Sequence, residues 1–134
     1  MNEVPINSGR LSSSSSDSTA TVQQLRDLVQ QFVDERNWRQ FHNLKNLSMS
    51  LAIEAGELME HTQWLTSTEV EEGSQIDRQA VAEELCDVLS YTLAIANTLD
   101  IDLTSALQQK MVKNRAKYPV DSPRTVQGLP TRAE

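Results

Sequence analysis

The spacing of apolar residues between positions 21 and 119 follows the period of an α-helix. Gly and Pro are almost absent from this region, and apolar and polar residues do not alternate as they do in strands. The pattern predicts an all-α fold with four helices separated by loops. The predicted helices are Val22–Glu35, Leu44–Leu65, Arg78–Leu99 and Leu103–Lys117, and the longer predicted loops are 37–43 and 66–77.

Capping signals mark the ends of three of these helices. Thr21 is expected to cap the first helix and Gln24 to complete a capping box, because side chains at this spacing can bond each other's backbone N–H groups. Asp77 and Asp102 stand in the N-cap position before the third and fourth helices, and Pro119 follows the end of the fourth. Helices with short connections predict an antiparallel four-helix bundle.

The two ends of the chain differ from this helical region. Residues 1–20 contain a serine run and few apolar side chains, which predicts a disordered leader rather than a signal peptide. Residues 120–134 lack periodicity and contain prolines and a glycine, which predicts a flexible tail. The folded domain is therefore predicted to span residues 21–119.

Composition narrows the classes of partner. The 134-residue chain has a formal net charge of −7, which argues against binding to a nucleic-acid polymer. No run approaches the roughly 18 apolar residues that a membrane span needs. The single cysteine, Cys86, leaves no internal disulfide and fits a reducing, cytoplasmic setting. Its packing role is predicted to be that of a small core residue.

Two acidic pairs lie within the apolar patterns of the second and third predicted helices. Glu54 and Glu57 form one pair and Glu84 and Asp87 the other, each with an i, i+3 spacing that points both carboxylates the same way. At about 100° per residue, Glu54 lies within a leucine stripe and Glu57 on its border. Glu84 borders the stripe of the third helix, whereas Glu83 lies on the opposite side and is left out.

Carboxylates in such positions are costly unless something compensates their charge. Two helices that bring these pairs together would form a cage of like charges, in which at least one pKa rises if no cation is bound. Oxygen ligands and excess negative charge are what hard divalent cations such as Mg²⁺ require. The four acids therefore predict a Mg²⁺ site.

Other groups could bind an organic ligand beside such a site. Trp38, Phe41 and His42 share one short segment, and Trp64 is predicted near the end of the second helix. These side chains could stack and read a nucleobase, or they could seal one end of the bundle. Basic and amide groups on the fourth helix could grip phosphates, or the cations could complement the helix dipole. The groups concerned are Lys110, Asn114 and Arg115.

The order E-x-x-E followed by E-x-x-D resembles the MazG-type all-α nucleoside triphosphate pyrophosphatases. The flanking segments NWRQFHNLKNLSMSLAIEAGELMEHTQW, EELCDVLSY and KMVKNRAKYPV are similar to the dCTP pyrophosphatase branch of that family. The similarity covers about residues 22–120. It implies that Glu54, Glu57, Glu84 and Asp87 bind Mg²⁺ and form the catalytic centre. It also implies homo-oligomers, commonly tetramers, with sites built at subunit contacts.

The same resemblance implies a set of substrate contacts. They are Trp38, Arg39, Gln40, Phe41, His42, Trp64, Tyr91, Lys110, Asn114 and Arg115. The expected activity is Mg²⁺-dependent conversion of a nucleoside triphosphate, dCTP or a modified dCTP, to the monophosphate and pyrophosphate. His61 departs from the branch, in which an aliphatic residue is expected, and could alter metal preference or packing.

Three alternatives stay open. The enzyme could cleave a broader set of nucleoside triphosphates, or dUTP. A carboxylate-bridged dimetal oxidation bundle is a second alternative, although such bundles favour Glu-x-x-His motifs and His61 has the wrong spacing. A non-catalytic helical interaction module is the third, and it predicts no effect of Mg²⁺ on stability.

Overall fold

The computed structural model describes residues 10–120 of the chain. The regular elements within this range are all helical, which confirms the predicted all-α fold. They are α1 (Val22–Glu35), a 3-10 helix (Trp38–Phe41), α2 (Leu44–Glu60), α3 (Ser67–Glu72), α4 (Arg78–Leu99) and α5 (Leu103–Lys117). Residues 1–9 of the predicted leader and residues 121–134 of the predicted tail lie outside the described residues. Among the described helices, none combines the length and apolar character needed to cross a bilayer.

Side-chain caps explain why the predicted helix starts are right. The Thr21 hydroxyl accepts a hydrogen bond from the Gln24 backbone N–H (3.2 Å), and the Gln24 side chain accepts one from the Thr21 N–H (2.8 Å). Asp77 and Asp102 cap α4 and α5 by accepting bonds from backbone N–H groups of the first turn. Each of these bonds satisfies a donor that has no partner inside the helix.

The second predicted helix is too long at its C-terminal end. α2 ends at Glu60, and the chain continues in turns in which the Thr62 N–H donates to the Met59 carbonyl and the Leu65 N–H to the Thr62 carbonyl. These bonds span three residues and replace the four-residue ladder of the α-helix. The predicted helix residues 61–65, Trp64 among them, therefore lie beyond α2.

The predicted loop at 66–77 contains a short helix. The Thr66 hydroxyl and the Glu69 carboxylate form a capping box that starts α3. Gly73 ends this helix at a φ of 69°, in the left-handed region that glycine adopts without strain. The segment thus had both a start and a stop signal, although its polar composition favoured a loop. The other predicted loop, 37–43, also forms a short element, the 3-10 helix.

The first compact unit, which ends at Asp100, is built around α4. This helix packs against both α2 and α1. Its core residues are Val33, Leu47, Leu93, Ala94 and Ala96, each at most 4% exposed. The two alanines bring little side-chain volume, so that the helices they face can approach closely. A core this small leaves many large apolar side chains partly in solvent.

A polar clamp joins α1 to α4. The Arg26 Nε donates to the Asn97 Oδ1 (2.9 Å), and its Nη2 donates to the Ala96 carbonyl (3.2 Å). The Asn97 side chain in turn donates to the Arg26 carbonyl (3.1 Å). Because hydrogen bonds run in both directions between the same two helices, this clamp fixes the position of α1 along α4.

A second compact unit begins at Ile101 and contains α5. Arg115 and Lys117 occupy its last turn, where positive charge complements the helix dipole. The Tyr118 N–H donates to the Asn114 carbonyl (2.8 Å), and the Lys117 ammonium lies 5.4 Å from the centre of the Tyr118 ring. The C-terminal end of α5 is thus well capped.

Candidate metal centre and adjoining pocket

Three of the four predicted acids meet where α2 packs against α4. One carboxylate oxygen from each of Glu54, Glu84 and Asp87 lies within 4.8 Å of the other two. Glu54 belongs to α2, whereas Glu84 and Asp87 are one turn apart on α4. Carboxylate oxygens at this spacing can bind one divalent cation together. We call these three residues the acid cluster.

Glu57 is exposed and lies outside the acid cluster, although its charge affects the pKa of Glu54. Burial raises the pKa of Glu54, and the charges of Glu57, Asp87 and Glu84 raise it further, in that order. The direction is the one expected when carboxylates are held together and partly withdrawn from water. A bound cation reverses this repulsion because it supplies the missing positive charge.

One carboxylate oxygen of Glu84 supports a cation site. Within the part of the chain that the structure describes, its Oε2 atom is buried and has no hydrogen-bond partner. A buried carboxylate oxygen without a partner costs free energy, so its presence calls for an explanation such as an ion. The donor set consists of oxygens alone and carries a high negative charge. It therefore fits a hard cation such as Mg²⁺ better than a softer one such as Zn²⁺.

A cavity of about 480 Å³ lies beside the acid cluster, and its walls come from α1, α4 and the segment between α1 and α2. Its lining residues are Leu28, Val29, Phe32, Val33, Trp38, His42, Asp87, Ser90, Tyr91 and Ala94. The size is within the range of small-molecule sites, and the lining is apolar with a few polar groups. Asp87 belongs both to this pocket and to the acid cluster. A ligand in the pocket is therefore in reach of the carboxylates.

Two aromatic rings shape one side of the pocket. Phe32 and Trp38 meet edge to face, with their ring centres 5.7 Å apart and their planes at 75°. The Arg36 guanidinium carbon lies 3.5 Å from the centre of the Phe32 ring and 6.0 Å from that of Trp38. Edge-to-face and cation–π contacts of this kind hold the rings in defined orientations.

His42 supplies a polar group to the same pocket. Burial lowers the pKa of its imidazole from the ordinary value of 6.5, so the ring is neutral at pH 7. A neutral imidazole has one N–H donor and one nitrogen acceptor. It can therefore hydrogen-bond to the polar edge of a heterocycle without adding charge.

Other predicted substrate residues point elsewhere. Arg39 pairs with Asp34 through both carboxylate oxygens, the Nη2–Oδ2 distance being 2.8 Å, and this pair lowers the pKa of Asp34 to about 2. The Gln40 side chain donates to the Asn37 carbonyl (3.0 Å). Neither Arg39 nor Gln40 is among the residues that line the pocket.

Phe41 and Trp64 are also outside the pocket lining. Their exposures are 58% and 86%, which means that neither ring has a packing partner large enough to bury it within the described chain. Lys110, Asn114 and Arg115 belong to α5 in the second compact unit. Their role as phosphate contacts stays a prediction.

Phe32 and Ser90 are pocket residues that the sequence did not single out. The helical spacing of apolar residues in α1 includes Phe32, yet this side chain is 47% exposed because the pocket lies in front of it. Ser90 follows Asp87 by three positions on α4, as Tyr91 does by four. Helical spacing from Asp87 was thus a usable signal for Ser90. Cys86, predicted to lie in the core, is exposed, so that prediction is wrong.

The fold and the site define an all-α protein in which three carboxylates that could bind a metal ion lie beside an aromatic pocket. The MazG-like family model matches residues 49–127, more than half of the chain. The chain belongs to the MazG-like family, and the resemblance seen in the sequence is confirmed.

Named relatives agree with this assignment. The chain is 43% identical over 104 residues to dCTP pyrophosphatase 1 of Mus musculus, covering 75% of this chain and 60% of that protein. The match to dCTP pyrophosphatase 1 of Homo sapiens is 43% over 101 residues, covering 74% and 59%. The chain thus spans about three fifths of the length of these curated relatives. A crystal structure of a pyrophosphatase from Archaeoglobus fulgidus aligns with a TM-score of 0.68 and 39% identity, covering 72% of this chain and 91% of that chain.

Proposed function

We propose that this protein is a Mg²⁺-dependent nucleoside triphosphate pyrophosphohydrolase that acts on dCTP or a modified dCTP. The observation that carries the proposal is the position of Asp87, which is shared by the acid cluster and the aromatic pocket. A base held in the pocket would direct its phosphates toward the carboxylates. The names of the relatives, dCTP pyrophosphatase 1 and pyrophosphatase, support the same reaction.

Glu54, Glu84 and Asp87 would hold the cation, and Glu57 would add negative charge from the exposed side of α2. When bound, Mg²⁺ polarises a phosphoryl oxygen and lowers the pKa of a bound water. The unpartnered Oε2 of Glu84 supports its place in this set, because ion binding would satisfy it.

The pocket would orient the nucleotide. Phe32 and Trp38 would offer ring surfaces on which a base can stack, a contact worth about 1–3 kcal/mol per base. His42, Ser90 and Tyr91 line the same cavity and bring hydrogen-bonding groups to its wall. Since every base has a stacking face, selectivity for cytosine would depend on these polar groups.

The reaction would be attack of water on the α-phosphorus, with cleavage of the bond between that phosphorus and the bridging oxygen. The products are the monophosphate and pyrophosphate, and one proton leaves the water. Glu54 would accept that proton, because it is a carboxylate of the acid cluster, where the bound water would lie. Glu57 is the alternative base. Lys110, Asn114 and Arg115 would contact phosphates, a role supported only by the positive charge of Lys110 and Arg115, the amide group of Asn114 and the family resemblance.

The surface of the first compact unit supports a homo-oligomer, which we propose to be a tetramer on the basis of the family. Met49 and Ile53 on α2 are 57% and 59% exposed, and Leu85 and Leu89 on α4 are 52% and 43% exposed. Apolar side chains grouped on neighbouring helices favour association. We also propose a cytoplasmic location and a disordered serine-rich leader. Light scattering tests the association directly.

The activity is tested by incubating the purified protein and MgCl₂ with each common nucleoside triphosphate. Pyrophosphate and a monophosphate should appear together, fastest with dCTP. In H₂¹⁸O the label should enter the monophosphate, since water attacks the α-phosphorus. The Glu54→Gln protein should be inactive and the Glu60→Gln protein active, because Glu60 is an exposed residue of the same helix. Release of single phosphates, or label in pyrophosphate, refutes the proposed reaction. Equal rates for all bases would favour the broader substrate range instead.

A further inference from the structure

His61 makes a contact with the acid cluster that the family resemblance does not account for. It is the C-cap residue of α2, and its Nε2 lies 3.7 Å from Oε1 of Glu84. The two side chains are only 27% and 20% exposed, so the contact is partly shielded from water. An aliphatic residue, which the resemblance leads one to expect at this position, could not make it.

His61 reaches the acid cluster through Glu84 alone. The group of mutually close ligand atoms comprises Glu54, Glu84 and Asp87, and His61 is outside it. Its imidazole therefore contacts one ligand of the acid cluster without belonging to the group of mutually close ligand atoms. The two oxygens of Glu84 then have different surroundings. Oε1 faces the imidazole, while Oε2 is buried without a hydrogen-bond partner in the described chain.

We propose that His61 is a positioning residue that holds Glu84 with Oε2 directed to the bound cation. Nε2 and Oε1 are 3.7 Å apart, so an approach of about 0.5 Å would bring them to hydrogen-bond distance. Apo structures often show such contacts long, and they tighten when the ligand binds. The proposal rests on the proposed function, because it assumes that the acid cluster binds a divalent cation.

The physical basis is pre-organisation. A glutamate has three side-chain torsions, and ordering such a side chain at a binding site costs conformational entropy. Partners that hydrogen-bond to ligating groups fix their orientation, and losing them typically weakens metal binding by about 10–100-fold. The competing role for His61 is to complement the dipole at the end of α2. That role affects helix stability but leaves the affinity for the cation unchanged.

Calorimetric titration of chelator-treated protein with MgCl₂ separates these roles without any measurement of hydrolysis. His61→Leu should bind Mg²⁺ about 10-fold or more weakly than the unsubstituted protein. His61→Gln, which keeps an N–H donor at similar reach, should bind close to normally. Gln63→Leu is the matched control, because it changes an exposed residue of the same turn and should have no effect.

The outcomes distinguish this proposal from the proposed function. If the unsubstituted protein binds no Mg²⁺, the proposed function fails and the role of His61 fails with it. If it binds Mg²⁺ and His61→Leu binds equally well, only the role of His61 is wrong, even when that variant has a lower Tm. Equal weakening in His61→Gln and His61→Leu refutes the donated hydrogen bond. His61→Met replaces His61→Leu should the latter fail to fold.

Discussion

The effect of Glu54→Gln on stability should change sign when Mg²⁺ is added: the substitution should stabilise the metal-free protein and make it less stable than the original protein in excess Mg²⁺. In metal-free protein at neutral pH, Glu54 is an ionised carboxylate beside Glu84 and Asp87, and its raised pKa shows that this charge is unfavourable. Glutamine has nearly the same shape and no charge. Replacing Glu54 with glutamine therefore removes repulsion, so the metal-free variant should be more stable than the original protein.

The size of the effect follows from the spacing of the cluster. The ligand oxygens lie within 4.8 Å of one another, and at that upper limit two unit charges repel by about 1 kcal/mol in water and about 3.5 kcal/mol at an effective dielectric constant of 20. Glu54 is only partly buried, so solvent screening places each pair near the lower value. Removing two such repulsions should stabilise the metal-free protein by about 1–2 kcal/mol. For a domain of this size, that raises Tm by roughly 5–15 °C.

The pH dependence has a definite sign. Because the folded-state pKa of Glu54 is raised above its ordinary value of 4.5, the folded protein binds this proton more tightly than the unfolded chain does. Stability is therefore lost as pH rises from about 4.5 through the raised pKa. The advantage of Glu54→Gln should be absent at pH 4 and complete at pH 7.

Added Mg²⁺ should invert the order. At a concentration 100 times its Kd, a ligand that binds only the folded state stabilises by about 2.7 kcal/mol. The original protein should gain this stabilisation, whereas the Glu54→Gln protein should gain little of it. Thermal unfolding with and without MgCl₂ measures both effects, and Glu60→Gln serves as the control because its side chain is exposed on the same helix. If Glu54→Gln destabilises the metal-free protein, or if Mg²⁺ stabilises both proteins equally, the acid cluster is not a cation site.

Three further substitutions test other parts of the molecule. Asp87→Asn should lower kcat/KM for dCTP by at least about 100-fold, since Asp87 serves both the cluster and the pocket, and steady-state assays would measure it. Trp38→Ala should raise KM by about 10-fold, the equivalent of about 1.4 kcal/mol of lost stacking, with a smaller change in kcat; an unchanged KM would remove Trp38 from the substrate site. Asp34→Asn should destabilise the protein at pH 6, because the stability that comes from the lowered pKa of Asp34 is fully present above pH 3.8. That difference should shrink as pH falls to about 2 in urea unfolding measurements, whereas a constant difference would contradict the pairing with Arg39.

Local signals in the sequence were sufficient for most helix bounds. α1, α4 and α5 begin and end where the periodicity and the caps Thr21, Asp77 and Asp102 indicated. The end of α2 was misplaced because Leu65 continues the apolar stripe, although the helix has already given way to turns. No Gly or Pro marks that change, and the choice between an α-helix and successive turns depended on packing.

The sequence predicted only part of the site, because packing between helices determines the rest. The helical angles predicted that Glu54, Glu84 and Asp87 lie in or beside the apolar stripes of their helices and that Glu83 does not. The structure places Glu54, Glu84 and Asp87 together. The pocket arises from the approach of α1 to α4, which no spacing within one helix determines. Spacing alone therefore does not distinguish Phe32 from a core residue of α1. Arg39 is a substrate contact only by the family resemblance, and spacing within one helix does not predict its pairing with Asp34, which crosses the boundary between α1 and the 3-10 helix.

The distribution of site residues among helices has an evolutionary consequence. α1 contributes walls to the pocket but none of the three clustered acids, whereas α2 contributes an acid and none of the pocket-lining residues. Mutations on α1 can therefore reshape the pocket while the acid cluster stays in place. The hydrogen bonds between Arg26 and Asn97 would hold α1 in its packing position on α4 through such changes. If the proposed function holds, substitutions confined to α1 could alter nucleotide preference and leave the acid cluster intact.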